Sequence, residues 1–387
     1  MTAAPRPASR QTIAAALAAA ALLVCASPAT AARDRLAGGD ATVALSTALR
    51  QGLAGKGVRL RAIEPAKLGR GRLAFTVRGG ELDPTTGRGT ISLGLGGLQL
   101  RRGRKAAAVR SLTIDTRRGE VSANVAGRKL KLASLGGWSE TREGFGVDLA
   151  IRRLRLSGPA AARLNRRLGF RALAGGQILG SALAETHPSA VSVLPGGGVS
   201  LTASEATLAK LTQVGVSVLP LAPTAKLDPL SPKPVFSSSI SGGAIGPAAN
   251  AGVLQTTGGI LLVQELGSLV SRVWIEEIEL DLGAGAVTAE VFGESNAETG
   301  PGQRPLDFGD MRRVSLATLA AAGAEVSTDP AARTVSVERA AATLQPVAAE
   351  ILDDFVEAYE RATKSGGKEK LSGGDPLGAV SFAVQTQ

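Results

Sequence analysis

Apolar and polar residues alternate with a period of two along most of the chain. Val121, Ala123 and Val125 alternate with Ser122 and Asn124, and Gly57–Ile63 alternates apolar with basic side chains. A strand that buries one face and solvates the other reads this way. The same pattern predicts strands over Phe75–Val77, Ala107–Asp115, Lys129–Leu135, Gly146–Leu156 and Ala182–Val193, and a hairpin over Trp274–Val291. Four segments shift to a period near four and predict helices. In Ala41–Leu53, the residues Val43, Leu45, Leu49 and Leu53 recur mostly four apart, and Gly55 stops the helix. Pro159 opens a helix through Leu168, as proline is tolerated in a first turn. Ser204 caps a third, Ser204–Val214. Pro346 opens the fourth, with Val347, Ile351, Phe355 and Tyr359 on one stripe and Glu350, Asp354, Glu357 and Glu360 on the other.

The elements recur in order. Phe75–Leu100 reads as strands separated by Gly-Gly and Asp-Pro turns, and Phe236–Val263 repeats that grammar. Gly79-Gly80 matches Gly242-Gly243, Pro84 matches Pro247 and Gly89 matches Gly252, all 163 residues apart. Gly57-Val58 and Pro65 match Gly215-Val216 and Pro223 at 158, and Gly175–Gly180 matches Gly373–Gly378 at 198. Offsets that change in steps between shared landmarks mark insertions in loops, the longest being 293–311. The chain is therefore expected to be all-β dominated: two tandem antiparallel β-sandwich-like repeats, each with two short helices. The repeats are placed at 40–200 and 204–387, with a boundary in Leu194–Thr202, which holds Pro195 and three glycines.

Residues 1–32 read as a signal peptide. Arg6 and Arg10 precede the apolar run Thr12–Ala26, which is short for a bilayer span, and Ala29-Thr30-Ala31 offers a cleavage site. Cleavage near Ala31 implies a secreted or cell-surface protein with no transmembrane segment in the mature chain. The single cysteine, Cys25, lies inside this segment, so the mature chain holds neither disulfides nor thiolate metal sites.

Composition adds two constraints. With 49 glycines and 3% aromatic residues, the cores must be built from Ala, Val, Leu and Ile. The net charge of +11 favours acidic partners. The aromatic residues that would stack on bases are too few, which argues against nucleic acid.

The layout resembles the haem-transport-associated (HtaA) domain family of exported actinobacterial proteins. The resemblance rests on the leading helix, on Phe75–Gly80, on Leu82–Thr90 and on the terminal Gly-Gly-x-x-Leu-Gly element, which in the second copy continues through Asp375–Phe382. It covers nearly all of the mature chain, twice. It implies a β-rich surface module that binds haem or hands it on. Haem-binding members place a tyrosine near the leading helix, backed by a histidine. Here neither leading helix has a tyrosine, and the hairpin tip expected to hold the histidine reads Arg101–Lys105 in one copy and Gln264–Ser268 in the other.

Haem iron takes His, Cys, Met or Tyr, and the mature chain offers His187, Met311 and Tyr359. His187 reads as a loop histidine, Tyr359 as part of a helix's apolar stripe and Met311 as the end of an inserted loop. A Ser-His-Asp triad would have to use His187, and no nucleophile elbow accompanies it. Adjacent strand residues such as Glu276 and Glu277 face opposite ways unless a bulge intervenes, and Asp353 and Asp354 read as the wet face of a helix. The glycine-rich stretches lack the Gly-Lys-Ser/Thr ending of a phosphate loop. The expectation is a non-catalytic protein. The remaining candidate is the basic run Arg101, Arg102, Arg104 and Lys105, with Arg117-Arg118 and Arg152-Arg153 nearby in sequence. Clustered, these would hold an acidic polymer, such as that of a cell wall, or the head groups of anionic lipid by non-specific attraction. Unclustered, they are solvated hairpin tips that discourage edge pairing.

Overall fold

The alternation is laid down as 23 strands among the described residues, the first starting at Asp34 and the last ending at Gln385. The computed structural model describes residues 33–227, 231, 233–296, 310–320 and 323–387, with backbone alone at 310–312. The proposed signal peptide lies outside the described residues. The first repeat comprises β1 (Asp34–Leu45), α1 (Thr47–Gly55), β2 (Val58–Ile63), β3 (Lys67–Gly69), β4 (Arg72–Leu82), β5 (Gly89–Arg102), β6 (Lys105–Asp115), β7 (Glu120–Val125), β8 (Arg128–Leu135), β9 (Trp138–Glu143), β10 (Gly146–Leu156), α2 (Gly158–Leu168) and β11 (Ile178–Ser192). The second comprises β12 (Gly198–Ala203), α3 (Glu205–Gln213), β13 (Val216–Leu221), β14 (Ala225–Leu227), β15 (Val235–Ile245), β16 (Gly252–Thr256), β17 (Gly259–Leu266), β18 (Leu269–Asp281), β19 (Ala286–Ser295), β20 (Asp310–Ala320), β21 (Glu325–Asp329), β22 (Thr334–Leu344), α4 (Pro346–Thr363) and β23 (Pro376–Gln385).

All pairings are antiparallel, and in each repeat they return on themselves. The first ring runs β1–β4–β5–β6–β7–β8–β10–β11 and back to β1. The second runs β12–β15–β16–β18–β19–β20–β22–β23 and back to β12. The chain is all-β dominated with two tandem repeats, and ring closure refines the sandwich-like expectation: a closed ladder leaves its own strands no open edge. Short strands β2, β3 and β9, matched in part by β13, β14 and β21, hang on each ring.

Three local expectations need correcting. The helix expected from Ala41 begins at Thr47, and Ala41–Leu45 belongs to β1. Positions four apart satisfy both strand and helix periods, so Val43 and Leu45 fit either. Ser46 decides, because its side chain accepts the Leu49 N–H at 3.2 Å and starts the helix there. The segment Leu194–Thr202 is not a plain connection, since β12 starts at Gly198. Gly79-Gly80 is no turn either. It lies inside β4, and a Cβ on Gly80, at φ +137°, would stand 2.0 Å from the Thr90 carbonyl oxygen. Gly243 repeats this at φ +126°, 2.1 Å from the Val253 oxygen. These glycines let neighbouring strands approach closely.

The first ring encloses one continuous apolar core, from Leu36 through Leu82, Ile91 and Leu149 to Ala184. Helices α1 and α2 contribute Leu49, Leu53, Leu164 and Leu168 to it. In the second repeat the core falls into two clusters. One is built around Ile240, Ile245, Leu254 and Val335, the other around α4 with Phe355, Ile351 and Leu352. A cavity of about 150 Å³, lined almost entirely by apolar side chains, lies between them, against about 90 Å³ in the first repeat. Helix α4 has 18 residues where a short helix was expected, against 11 in α2.

β11 joins the repeats. Most of its length pairs in the first ring, and then Val191 and Ser192 pair with Ile245 and Ala244 of β15. Phe145, from the β9–β10 turn, packs into the second repeat's core. Beside it Asp34, 1% exposed, accepts the Ser192 N–H at 3.3 Å and faces Arg142 at 3.4 Å. Burial raises the Asp34 carboxyl to about 6 in spite of Arg142, so here desolvation outweighs the ion pair.

Candidate functional site

The basic run sits at the β5–β6 hairpin. Arg101 and Arg102 end β5, Arg104 is in the turn and Lys105 starts β6. Arg59 of β2 lies opposite Arg101. Arg166 and Arg167 occupy the last turn of α2, whose end reaches the same hairpin. None of these side chains is ion-paired among the described residues, and Arg101, Arg104 and Lys105 are exposed. The other arginine pairs do not join them. Arg117 and Arg118 lie at the far end of β6, about 35 Å away along an extended strand, paired with Glu81 at 2.9 Å and Asp115 at 3.7 Å. Arg152 and Arg153 occupy an irregularity in β10.

Arg102 differs from its neighbours in having a structural task. Its Nε donates to the Lys56 carbonyl at 3.1 Å and its Nη1 to the Gly169 carbonyl at 2.9 Å, and it lies 5.8 Å from the Phe170 ring centre. It thereby ties the C-terminal ends of α1 and α2 to β5, where the helix dipoles favour a cation. In the second repeat the matching slot holds the end of α3 and the middle of α4. Val58 faces Arg102, Val216 faces Gln264, and fully buried Gln264 donates to the Val214 carbonyl at 2.7 Å and the Phe355 carbonyl at 2.9 Å. A residue run from sequence alone cannot separate Arg102 from Arg101. Only the register shows it.

A second matched feature is a bulge. Ser111 in β6 and Glu277 in β18 both adopt positive φ, +53° and +48°, where the ladder slips between Arg110 and Thr113 and between Glu276 and Glu279. Adjacent strand carboxylates such as Glu276 and Glu277 face opposite ways unless a bulge intervenes, and one does. It turns Glu277 and Glu279 towards Arg313, at 3.4 and 3.2 Å, in a polar cleft of about 510 Å³. Both carboxylates are thus ion-paired to one guanidinium. The other adjacent pair is also engaged. Asp353 accepts the Leu371 N–H at 2.9 Å, and burial raises the neighbouring Asp354 carboxyl.

His187 and Tyr359 do not come together as ligands for haem iron. His187 is exposed on β11 opposite Gly38, and Tyr359 is half-buried on α4 with the Lys368 ammonium 5.5 Å from its ring centre. They belong to different repeats and neither lines an internal cavity. Those cavities are smaller than the roughly 300 Å³ at which ligand pockets begin. The Met311 side chain lies outside the described residues.

Charge divides sharply between the repeats. Residues 33–200 hold 29 Lys and Arg against 11 Asp and Glu, a net of +18. Residues 201–387 hold 13 against 22, a net of −9. No helix among the described residues is long and apolar enough to cross a membrane.

The pairings define the class: a tandem of closed antiparallel β rings, each carrying two helices. Among solved structures, the chain is similar to HtaA domains of Corynebacterium glutamicum. The C-terminal HtaA domain matches 40% of this chain and 98% of its own at 11% identity and a TM-score of 0.33. The N-terminal HtaA domain matches 50% and 98% at 10% identity and 0.34. The haem-binding protein HtaB of the same organism matches 51% and 96% at 10% identity and 0.31. Scores and identities of this size add nothing to the strand pairings, which describe the fold by themselves. No family model and no curated protein matches the chain.

Proposed function

We propose that this chain is an exported, non-catalytic binding module of the HtaA type whose first repeat holds an acidic polymer of the cell envelope. The observation that carries this reading is the charge division, +18 against −9, together with an unpaired basic hairpin end on the positive repeat. Arg101, Arg104 and Lys105 present exposed cations to a polyanion, while Arg102 holds the hairpin to both helices. Such attraction is long-ranged, non-specific and weakened by salt. Export rests on the first 32 residues, with cleavage near Ala31 leaving a secreted or surface-held protein. Lack of catalysis is supported by the carboxylates, which are engaged by Arg313 and by backbone N–H groups.

The test is co-sedimentation with isolated cell wall across a salt series. The protein is expected to pellet at low salt and to release as salt rises. Arg101→Glu with Arg104→Glu and Lys105→Glu is expected to lower retention at least tenfold. A protein that stays in the supernatant, or a triple variant that pellets as well as the original, would overturn the proposal.

The motif resemblance favours haem as a second reading, in which the chain binds the macrocycle by apolar contact without an iron ligand. Adding hemin to the protein distinguishes it. A saturable Soret band with a one-to-one or two-to-one end point supports it, and its absence rejects it.

A further inference from the structure

Exposed and half-buried apolar side chains line up across one outer face of the second repeat. Leu219, Leu261, Trp274 and Phe292 stand on β13, β17, β18 and β19, each facing the next across its ladder. Leu219 is 44% and Phe292 38% exposed, and the Trp274 and Phe292 rings stack at 4.9 Å. Three strand spacings make the row about 14 Å long. The matching positions of the first repeat are Arg61, Gln99, Ala108 and Ala126, none of them large and apolar. Beside the row Glu276 faces Glu290 across β18 and β19. Like charges directly opposite one another destabilise a strand pair, and neither carboxylate is ion-paired among the described residues. An apolar row beside a pair of facing carboxylates marks a surface that meets a partner.

A complementary feature lies on the first repeat. The β5–β6 ladder pairs Leu93 with Leu112 and then Gly97 with Arg110, which leaves Gly94–Gly96 looped out of register. Leu95, at the crest, is 78% exposed, the most exposed large apolar side chain among the described residues. Arg78 packs against Gly94 beside it, and Arg110 is exposed on the facing strand. Neither is ion-paired among the described residues. The first repeat thus offers an apolar knob with a basic rim, and the second an apolar row with an acidic rim.

We propose that copies of this chain associate head to tail, with Leu95, Arg78 and Arg110 of one copy seated on the Trp274–Phe292 row and the Glu276–Glu290 pair of the next. The net charges of +18 and −9 favour this order over like meeting like. Because knob and row are different surfaces, each contact leaves one of each free, and growth continues into open chains. The contact does not use Arg101, Arg104 or Lys105, so its failure and the failure of polymer binding are read from separate substitutions.

Sedimentation velocity of the purified protein over a wide concentration series, at about 20 and about 500 mM salt, tests this. The weight-average sedimentation coefficient is expected to climb with concentration at low salt, with association at least tenfold weaker at high salt. Leu95→Asp alone and Phe292→Lys alone are each expected to stay monomeric. Mixed in equal amounts they are expected to form a dimer and nothing larger, because one retains the row and the other the knob. Circular dichroism checks folding, and Leu219→Lys replaces Phe292→Lys if that variant misfolds. Three results would overturn the proposal: a wild-type protein that is monomeric throughout, single variants that still grow, or a mixture that stays monomeric while the wild type associates.

Discussion

Where β5 faces β2 the first repeat has Arg102, and where β17 faces β13 the second has Gln264. One is a cation reaching past the surface, the other an amide fully enclosed, yet both donate to carbonyls of the two helices of their repeat: Arg102 to the C-terminal ends of α1 and α2, Gln264 to the end of α3 and the middle of α4. The same slot of the ladder keeps its task and changes its chemistry. The bulge behaves in the same way. Its left-handed residue is Ser111 in one repeat and Glu277 in the other, and its flanking position carries Arg110 or Glu276. Backbone geometry is what the repeats share. Charge, core filling and outer surface are where they part, and any function that distinguishes them belongs there.

The largest expected effect tests the shared slot. Gln264→Ala removes two buried hydrogen bonds and opens a void, and should cost about 2–4 kcal/mol. Arg102→Ala should cost about 1–2 kcal/mol, because water reaches the carbonyls it leaves. Arg102→Gln should recover part of that loss. Urea denaturation measures all three, and equal losses at the two positions would break the comparison.

Next comes the joint between repeats. The native chain keeps the Asp34 proton up to about pH 6, whereas a free carboxyl releases it near 3.8. The stabilisation from the protonated form is therefore complete below pH 3.8 and is lost as pH rises through 6. It is on the order of 3 kcal/mol. Asp34→Asn should flatten the change in melting temperature between pH 4.5 and 7.5 relative to the wild type. An unchanged slope would remove Asp34 from the joint's energetics.

Core filling gives a smaller effect of opposite sign in the two repeats. Ala348 lines the larger cavity, and Ala348→Leu should stabilise by about 1 kcal/mol. The matching residue, Ala161, is packed in the continuous first core, so Ala161→Leu should destabilise by about 1–3 kcal/mol. Thermal melts of both variants that moved in the same direction would show that the two cores are equally filled. The smallest expected change is at the bulges. Ser111→Gly removes the penalty for a side chain at positive φ and should add about 0.5–1 kcal/mol. Glu277→Gly also loses Arg313 and should be nearly neutral in the same urea titration.

Strands with one buried face were legible in the sequence. β10 was expected over Gly146–Leu156 and is found there, because Val147, Leu149 and Ile151 alternate inward. β9 and β21 were not seen. Every second residue of β9 is only partly covered and all of β21 is exposed, so neither carries an apolar signal. Ring closure could not be read, since it depends on pairs such as Leu154 with Leu135 and Val43 with Ala182, which local periodicity does not encode. The basic run was visible as a run, while the tie made by Arg102 and the separation of Arg117-Arg118 from it were not. The apolar row is the clearest case. Leu219, Leu261, Trp274 and Phe292 come from four strands and gain meaning only once the register aligns them.

β11 has a mechanical consequence. A tether of glycine and proline between two rings would extend under tension before either ring felt it. Here the strand that completes the first ring runs on to pair with β15, Phe145 is lodged in the neighbouring core, and the Gln387 N–H closes on the Ser192 carbonyl at 2.9 Å. A pull that parts the repeats must break these contacts, so load is passed from ring to ring through a splice with little slack.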